Sequence, residues 1–490
     1  MKGSFSVLRR LRKLAVILGI VVLAVVATVF VVRALDSLRG PDLALWHTFV
    51  PEEMTVAEMD AADWSGYLAA EDRVFQSVHD NVTLKLPPRD RVVHDRYFAD
   101  APVYPGNFTQ DFNRSYLLEP EGAPKGAAVF LHGLTDAPYS LRHLAELYRD
   151  RGYVAVLVRM PGHGTVPAGL TEATWEEWMA ATRLAVRAAV ARAGADVPLH
   201  VVGYSNGGAL AVKYALDALA DPALHRPDQL VLLSPMIGVT RFARFAGLAG
   251  WPAIFPPFVK AAWLSILPEY NPFKYNSFPV NAGRESWRLV AALQGEIDAA
   301  VRDGRMAEMP PVLTFQSAID FTVSTSAVVT ALYAHLPDNG SDLVLFDVNR
   351  AAKLGVLLRQ RAKRAVETLL PPAPRSYATS IVGNAAPGEA AVVERRVAAD
   401  GTGETVTPLG VDYPRDVFSL SHIAMPFPPW DSLYGAAPQP PDAFGVSLGD
   451  IAARGETGAL IVGLDSLLRN TSNPFYAYLA RRIGETIDAP

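Results

Sequence analysis

The chain has 490 residues, of which 50% are hydrophobic and 19% are charged, and it contains no cysteine. This composition supports a large hydrophobic core and argues against a chain that is disordered throughout. The formal net charge of −5 argues against a nucleic-acid-binding protein, which would present a basic surface. The absence of cysteine excludes disulfides, thiol catalysis and cysteine-ligated metal sites.

The N-terminus predicts a membrane anchor. An uninterrupted apolar stretch of 19 residues runs from Leu14 to Val32 and would rise about 28 Å as a helix, close to the ~30 Å hydrocarbon core of a bilayer. Five basic residues precede it: Lys2, Arg9, Arg10, Arg12 and Lys13. This bias predicts a single-pass protein with a cytoplasmic N-terminus, anchored in a bacterium to the inner membrane with its body in the periplasm. A cleaved signal peptide is the alternative, although Val32-Arg33-Ala34 is a poor cleavage site.

Three parts follow along the chain. Residues 1–39 form the basic tip and anchor, residues 40–112 form a lead-in segment, and residues 113–490 form the main domain. In the main domain, apolar segments alternate with helical ones, which predicts an α/β fold with a mostly parallel sheet and helices on both faces. The predicted strands are 114–118, 127–131, 153–159, 199–204, 229–233, 311–316 and 343–348, and the predicted helices include 139–151, 174–193 and 325–336.

The most informative motif is Gly203-Tyr204-Ser205-Asn206-Gly207, which directly follows an apolar strand and precedes a helical stretch. A strand–turn–helix with this pattern is typical of a nucleophile elbow, in which a strained turn exposes a serine hydroxyl. The glycines are needed because strand and helix approach so closely that side chains would collide. The motif therefore predicts Ser205 as a nucleophile, provided that the chain also supplies a base and an acid.

The base should be a histidine downstream of the serine, since partners in this arrangement follow in the order serine, acid, histidine. Three histidines lie beyond Ser205 in the chain: His225, His335 and His422. His225 precedes a predicted strand, and His335 ends a predicted helix. His422, in Ser419-Leu420-Ser421-His422, follows the predicted core strands and is therefore the predicted base.

The acid should follow the strand predicted at 311–316, where the chain supplies Asp320. Asp338 and Asp342 precede a predicted strand and are interpreted as turn residues. Asp347, inside the strand predicted at 343–348, remains a weaker alternative. The sequence therefore favours Asp320 as the acid that orients the histidine.

A serine that attacks a carbonyl group also needs two backbone N–H groups to stabilise the developing oxyanion. Asn206 follows the nucleophile and supplies one of them, and the loop at 130–136 supplies the other, with Leu134 as the predicted donor. His132 in this loop precedes the nucleophile in the chain. It is interpreted as a structural prop, with a catalytic role as the alternative.

Taken together, these motifs resemble the α/β-hydrolase superfamily, and they are most similar to its bacterial carboxylesterases and monoacylglycerol lipases. The resemblance is carried by Leu131-His132-Gly133, Pro161-Gly162-His163-Gly164, the serine motif, Asp320 and His422, and it covers 113–349 and 415–487. It implies Ser205, Asp320 and His422 as catalytic residues, Leu134 and Asn206 as oxyanion donors, and neither a metal nor an organic cofactor.

Two segments depart from the family pattern. The aromatic- and proline-rich stretch 240–285 falls where such enzymes insert a cap, and we expect it to be a packed lobe that also forms an apolar wall for an acyl chain. A second insertion, 350–415, contains possible strands at 378–382 and 391–397 and separates the predicted acid from the predicted base.

The resulting hypothesis is a membrane-anchored serine hydrolase that cleaves a small-molecule acyl ester through an acyl-enzyme and has no nucleic-acid partner. The same residues could also support thioester or amide hydrolysis or acyl transfer. A non-catalytic, membrane-tethered scaffold is the alternative from another class.

Overall fold

A computed structural model describes residues 2–238, 251–353, 355–449, 469 and 471–489. Of the predicted cap at 240–285, residues 240–250 lie outside the described residues.

The main domain is built on one ten-stranded sheet, which confirms the predicted α/β-hydrolase fold. Its strand order is β1-β3-β2-β4-β5-β8-β9-β10-β11-β12, and the pairs from β3 to β10 are all parallel. The strands are β1 (Tyr116–Leu118), β2 (Gly126–Leu131), β3 (Tyr153–Val158), β4 (Leu199–Tyr204), β5 (Gln229–Leu233), β8 (Val312–Ser317), β9 (Asp342–Phe346), β10 (Ala378–Asn384), β11 (Ala391–Val397) and β12 (Glu404–Asp412). A separate antiparallel pair is formed by β6 (Trp263–Ser265) and β7 (Phe278–Pro279).

Helices cover both faces of this sheet. The described α-helices are α1 (Lys2–Arg39), α2 (Leu45–Thr48), α3 (Val56–Ala61), α4 (Trp64–Asn81), α5 (Arg142–Arg149), α6 (Trp175–Ala193), α7 (Asn206–Ala220), α8 (Val280–Arg302), α9 (Thr325–Ala327), α10 (Gln360–Lys363), α11 (Ala365–Leu369) and α12 (Tyr476–Ile487). Alternate residues of β2 point into different cores. Val129 joins the core under α6, α7 and α8, whereas Phe130 joins the core under α5 and α12.

Local sequence signals explain several boundaries. Thr174 caps α6 by accepting a hydrogen bond from the Glu177 N–H, and the Glu177 side chain accepts one from the Thr174 N–H. The helix predicted at 139–151 is instead a 3₁₀ turn, Pro138–Leu141, followed by α5. The predicted helix at 325–336 is a short α-turn, a π-turn and a 3₁₀ turn in succession.

The segment 350–415 extends the main sheet. β10 pairs in parallel with β9, and β11 and β12 follow as antiparallel strands. The strand predicted at 343–348 is therefore followed by three more strands of the same sheet. Asp347 lies just beyond β9, and its carboxylate contacts Arg350 at 3.1 Å.

The interpretation of Asp342 as a turn residue was wrong. Asp342 is the first residue of β9, it is buried, and its carboxylate pairs with Arg482 at 2.5 Å and with Arg396. A carboxylate at this place is stabilised by cations that come from α12 and β11, which are remote in the sequence.

The lead-in segment 40–112 packs against the main domain through buried charges. Arg159, which follows β3, is fully buried and contacts Glu53 at 2.7 Å and Glu71 at 3.0 Å. The Tyr67 hydroxyl donates a hydrogen bond to the Arg159 carbonyl at 2.6 Å. Because removing one partner of a buried ion pair is strongly destabilising, these contacts tie α4 firmly to the edge of the sheet.

Candidate active site

Ser205 lies on a strained turn at the carboxyl end of β4. It joins β4 to α7 with φ of 54° and ψ of −113°, a backbone conformation that residues with a side chain rarely adopt. The turn is held by hydrogen bonds: Ser205 N–H donates to the Leu233 carbonyl at 3.0 Å, and the Ser205 carbonyl accepts from Met236 N–H at 2.9 Å. These contacts offset the strain and fix the direction of the hydroxyl.

The glycines around Ser205 are required by close packing of backbone on backbone. A Cβ on Gly207 would collide with the carbonyl oxygen of Leu131, and a Cβ on Gly203 would collide with the carbonyl of Gly207. α7 can therefore approach β2 and β4 only where these positions lack a side chain, as the sequence pattern predicts.

His422 lies between Ser205 and Asp320. Its Nε2 is 2.9 Å from Ser205 Oγ, and its Nδ1 is 2.8 Å from Asp320 Oδ2. The side chains of His422 and Asp320 are 5% and 0% exposed, and Ser205 is a buried residue. In this arrangement His422 can take a proton from the serine through one nitrogen while its other nitrogen donates to the carboxylate. His335 is exposed at the end of a 3₁₀ turn, and neither ring nitrogen is within hydrogen-bond distance of Ser205.

Asp320 is held so that its carboxylate faces the histidine. Its Oδ1 accepts hydrogen bonds from the N–H groups of Thr322 at 2.7 Å and Val323 at 3.0 Å, and its Oδ2 accepts one from Gln316 at 3.1 Å. Burial alone would raise the pKa of Asp320, but the contacts with His422 and the backbone N–H groups outweigh it and hold the pKa below its ordinary value. The carboxylate therefore stays ionised beside the imidazole.

The predicted oxyanion donors lie on two elements that meet at the serine. Asn206 is the first residue of α7, so its N–H has no acceptor within the helix. Leu134 belongs to the loop after β2, and the preceding residue, Gly133, is close enough that a Cβ on it would lie 3.3 Å from Ser205 Cβ. Both residues remain predicted oxyanion donors.

His132 braces the loop after β2. Its Nε2 accepts a hydrogen bond from Met160 N–H at 3.1 Å, so its Nδ1 carries the proton and donates to the Gly133 carbonyl at 2.8 Å. Complete burial, together with nearby His163, lowers the pKa of His132 well below its ordinary value and keeps the ring neutral. Because both ring nitrogens are hydrogen-bonded to backbone groups, the His132 ring supports the loop structurally.

Asp431 is a buried residue near the site that the sequence interpretation did not single out. It contacts Arg142 at 2.6 Å and His143 at 3.1 Å, and it accepts a hydrogen bond from Tyr139 at 3.0 Å. Its Oδ1 also accepts the N–H groups of Leu433 and Tyr434, which fixes the segment that follows His422. Tyr139 and Asp431 are 292 residues apart, and no local pattern indicates such a pairing.

Burial alone would raise the pKa of Asp431. The Arg142 guanidinium and the hydrogen bond from His143 outweigh burial and hold that pKa well below its ordinary value. Asp431 is therefore a permanent anion that ties α5 to the segment carrying His422.

Metal ligands do not cluster in the described parts of the chain: no group of three or more histidine, aspartate or glutamate residues there could hold a metal ion. The chemistry that the arrangement can support is nucleophilic attack by the serine with proton transfer through the histidine.

A known protein family and a known protein match part of this chain in sequence. The family described as serine aminopeptidase, S33, a hydrolase family, matches residues 122–348. A thermostable monoacylglycerol lipase from Bacillus sp. (strain H-257) is 25% identical over 240 residues, which are 49% of this chain and 82% of that protein.

Solved structures also resemble part of the chain. A metagenome-derived lipolytic enzyme is 21% identical with a TM-score of 0.38, and the match covers 48% of this chain and 88% of that one. A monoacylglycerol lipase from Paleococcus ferrophilus is 18% identical with a TM-score of 0.35, and the match covers 52% of this chain and 98% of that one.

Proposed function

Because the chain is a member of the α/β-hydrolase superfamily and a serine hydrolase of the esterase and lipase type, we propose that it is a membrane-anchored enzyme that cleaves acyl esters with Ser205, His422 and Asp320. The observation that carries this proposal is the pair of contacts from His422, 2.9 Å to the serine and 2.8 Å to the aspartate. The similar monoacylglycerol lipase supports an acyl ester as the substrate class.

In the proposed first step, Ser205 Oγ attacks the ester carbonyl while His422 Nε2 takes the hydroxyl proton. The carbonyl π electrons move to its oxygen, and Asp320 stabilises the imidazolium through Nδ1. The tetrahedral intermediate then collapses. Its C–O bond to the leaving alcohol breaks, His422 gives its proton to that alcohol, and the acyl group remains bonded to Ser205.

In the second step, water replaces the alcohol. His422 takes a proton from the water, the resulting hydroxide adds to the acyl carbon, and the bond to Ser205 Oγ breaks as the serine recovers its proton. The carboxylic acid leaves. In both steps the oxyanion is stabilised by the N–H groups of Leu134 and Asn206, each of which typically contributes about 10²–10³ in rate in such sites.

The proposed membrane location is supported by α1. Among the described residues, one helix, Leu11–Arg39, is long and apolar enough to cross a membrane, and the same test is passed by a signal sequence. We propose that α1 remains as an anchor, with the catalytic domain on the side opposite to the basic tip. A reporter enzyme that is active only outside the cytoplasm, fused after Pro490, should then be active. Activity of a cytoplasm-only reporter, or release of a shortened soluble protein, would contradict the anchor.

The enzymatic proposal is tested with a fluorophosphonate probe on the detergent-solubilised full chain. The probe should label the parent at Ser205, and Ser205→Ala should lose both the label and the hydrolysis of acyl esters. Ser326→Ala, which changes an exposed serine on α9, is the matched control and should keep both. Labelling that persists in a folded Ser205→Ala variant would refute the assignment, and folded parent protein that takes no label would favour a scaffold.

A further inference from the structure

The outer end of α1 packs against the body of the protein. Val26 and Phe30 are half-buried, and Ala34 and Ser37 are buried, whereas residues 11–25 are exposed. These four residues are spaced by four, four and three positions, so they share one face of the helix. The last three turns of α1 therefore have a fixed position relative to the domain.

This contact begins within the apolar stretch of the helix. The rings of Phe30 and Phe255 meet edge to face with centroids 6.3 Å apart. Phe30 precedes Arg33 by three residues, or about 4.5 Å along the axis, on the side of the hydrocarbon core. If residues 14–32 span the bilayer, Phe30 lies at the level of the acyl chains, and Phe255 lies at the same level.

Phe255, which contacts the anchor through Phe30, is one of four exposed large apolar side chains between residues 255 and 267. Phe255 is 53% exposed, Val259 and Leu264 are each 46% exposed, and Leu267 is 42% exposed. We call these four side chains the rim surface. In water such a cluster would be unfavourable, but at the boundary between lipid headgroups and acyl chains it would be covered by lipid.

Two basic residues, Arg33 and Lys260, join α1 and the segment after it to the segment that carries the rim surface. The Arg33 guanidinium donates hydrogen bonds to the carbonyls of Ala261 and Trp263. Lys260 donates to the Gly40 carbonyl at 2.9 Å and contacts Asp42 at 3.0 Å. Arginine and lysine at the end of a membrane-spanning helix anchor it at headgroup depth, so these contacts hold α1 and the rim surface at a common level.

The rim surface is also connected to the candidate active site. Leu264 lies on β6, which pairs with β7, and the chain between these strands contains Tyr275. Tyr275 N–H donates to the Thr135 carbonyl at 2.8 Å, and Thr135 follows Leu134, the predicted oxyanion donor. The rim surface is therefore linked, through the β6–β7 pair and the Tyr275 hydrogen bond, to the loop that would bind the substrate carbonyl.

We propose that the rim surface inserts into the outer leaflet beside α1 and that the enzyme takes its acyl ester from that leaflet. This inference rests on the proposed anchor and esterase activity. It adds a second membrane contact, made by the catalytic domain itself, and it restricts the preferred substrate to esters whose acyl chains reside in the bilayer.

The docking is tested with single-cysteine variants of the full chain in nanodiscs. Because the chain has no cysteine, Leu264→Cys and Val259→Cys each create one site for an environment-sensitive fluorophore. Emission from both sites should shift to the blue and be quenched by lipids that carry a spin label on the acyl chain. Val406→Cys is the matched control, since Val406 is 48% exposed on β12 at the far edge of the sheet, and its label should not respond. Equal responses at 264 and 406 would overturn the docking.

The substrate preference is tested by placing negative charges on the rim surface. Val259→Asp combined with Leu264→Asp should lower hydrolysis of a long-chain ester embedded in nanodiscs by about fivefold or more, because charges oppose insertion of the surface. Hydrolysis of a water-soluble short-chain ester should fall much less than hydrolysis of the embedded ester, and circular dichroism shows that the variant is folded. An unchanged rate on the embedded ester would overturn delivery from the leaflet. A parent that hydrolyses neither ester while its labels are quenched would refute the proposed activity and leave the docking intact.

Discussion

Two regions meet at the Ser205 hydroxyl, and they are held in place by different interactions. The serine turn is positioned by backbone packing, in which glycines at 203 and 207 allow α7 to lie against β2 and β4. The segment that carries His422 is positioned by charge, through the buried pair of Asp431 and Arg142 at 2.6 Å. Backbone packing is encoded by adjacent residues, whereas the ion pair joins residues that are far apart in the chain. Substitutions in the two regions should therefore have different effects on activity, on stability and on the pH dependence of stability.

The largest effect on kcat is expected at His422, the proposed base, in the region that is positioned by charge. His422→Ala should lower kcat for an acyl ester on the order of 10⁶-fold, about as much as loss of the serine, because such residues act as a unit. His335→Ala, at an exposed histidine, should leave kcat unchanged. Near-normal turnover by folded His422→Ala would show that the geometry around Ser205 is not the catalytic one.

Asp320 should show the next largest effect. Asp320→Asn preserves the shape of the side chain but removes the charge that stabilises the imidazolium, so kcat should fall by about 10⁴-fold with little change in KM. Asp338→Asn, an exposed position before β9, is the control and should behave like the parent. A loss below tenfold would indicate that Asp320 only shapes the loop after β8.

Asp431 tests whether charge holds the histidine segment. Asp431→Asn leaves Arg142 buried without its anion and should lower the free energy of unfolding by about 3–5 kcal/mol. Because the pKa of Asp431 is held low in the folded protein, its stabilising effect is complete above about pH 4 and is lost as pH falls further toward the folded pKa. The difference between parent and variant in denaturant titrations should therefore shrink below about pH 4. Asp416→Asn, with a side chain 78% exposed, should be nearly neutral at every pH.

The smallest effect is expected at His132, which supports the loop after β2 beside the serine turn, the region held by backbone packing. His132→Ala removes two hydrogen bonds to the backbone and should cost about 1–3 kcal/mol of unfolding free energy. Its native pKa is far below its ordinary value, so the unfolded chain binds the extra proton as pH falls through about 6.5. The cost of the substitution should therefore decrease below that pH. The midpoint of the pH–rate profile should not move, and a shifted midpoint would indicate a catalytic histidine.

The sequence predicted the parts of the structure that depend on neighbouring residues. β4 and β5 begin and end where the apolar runs predict, and Ser205 lies on the predicted turn. The predicted acid and base also lie beside it, because the order of serine, aspartate and histidine left few candidates.

The parts that depend on distant charges could not be predicted. Asp342 is a polar residue before an apolar run, which is a typical turn signal, and nothing near it reveals that Arg482 pairs with it from 140 residues away. The same holds for Asp431 and its partners on α5. In physical terms, an ion pair is favourable only once both groups are buried together, so a single stretch of sequence carries no signal for it.

The position of Arg482 has a consequence for how the protein is made. This residue lies on α12, close to the C-terminus, and it pairs with Asp342 on β9 at 2.5 Å and with Glu394 on β11 at 2.7 Å. A ribosome synthesises both carboxylates well before the cation that joins them. The ion pairs of the sheet beyond β9 can therefore form only after α12 has been synthesised. Chains cut before α12 would keep these acids without Arg482, and we expect proteolytic quality control to remove them more readily than chains that contain α12.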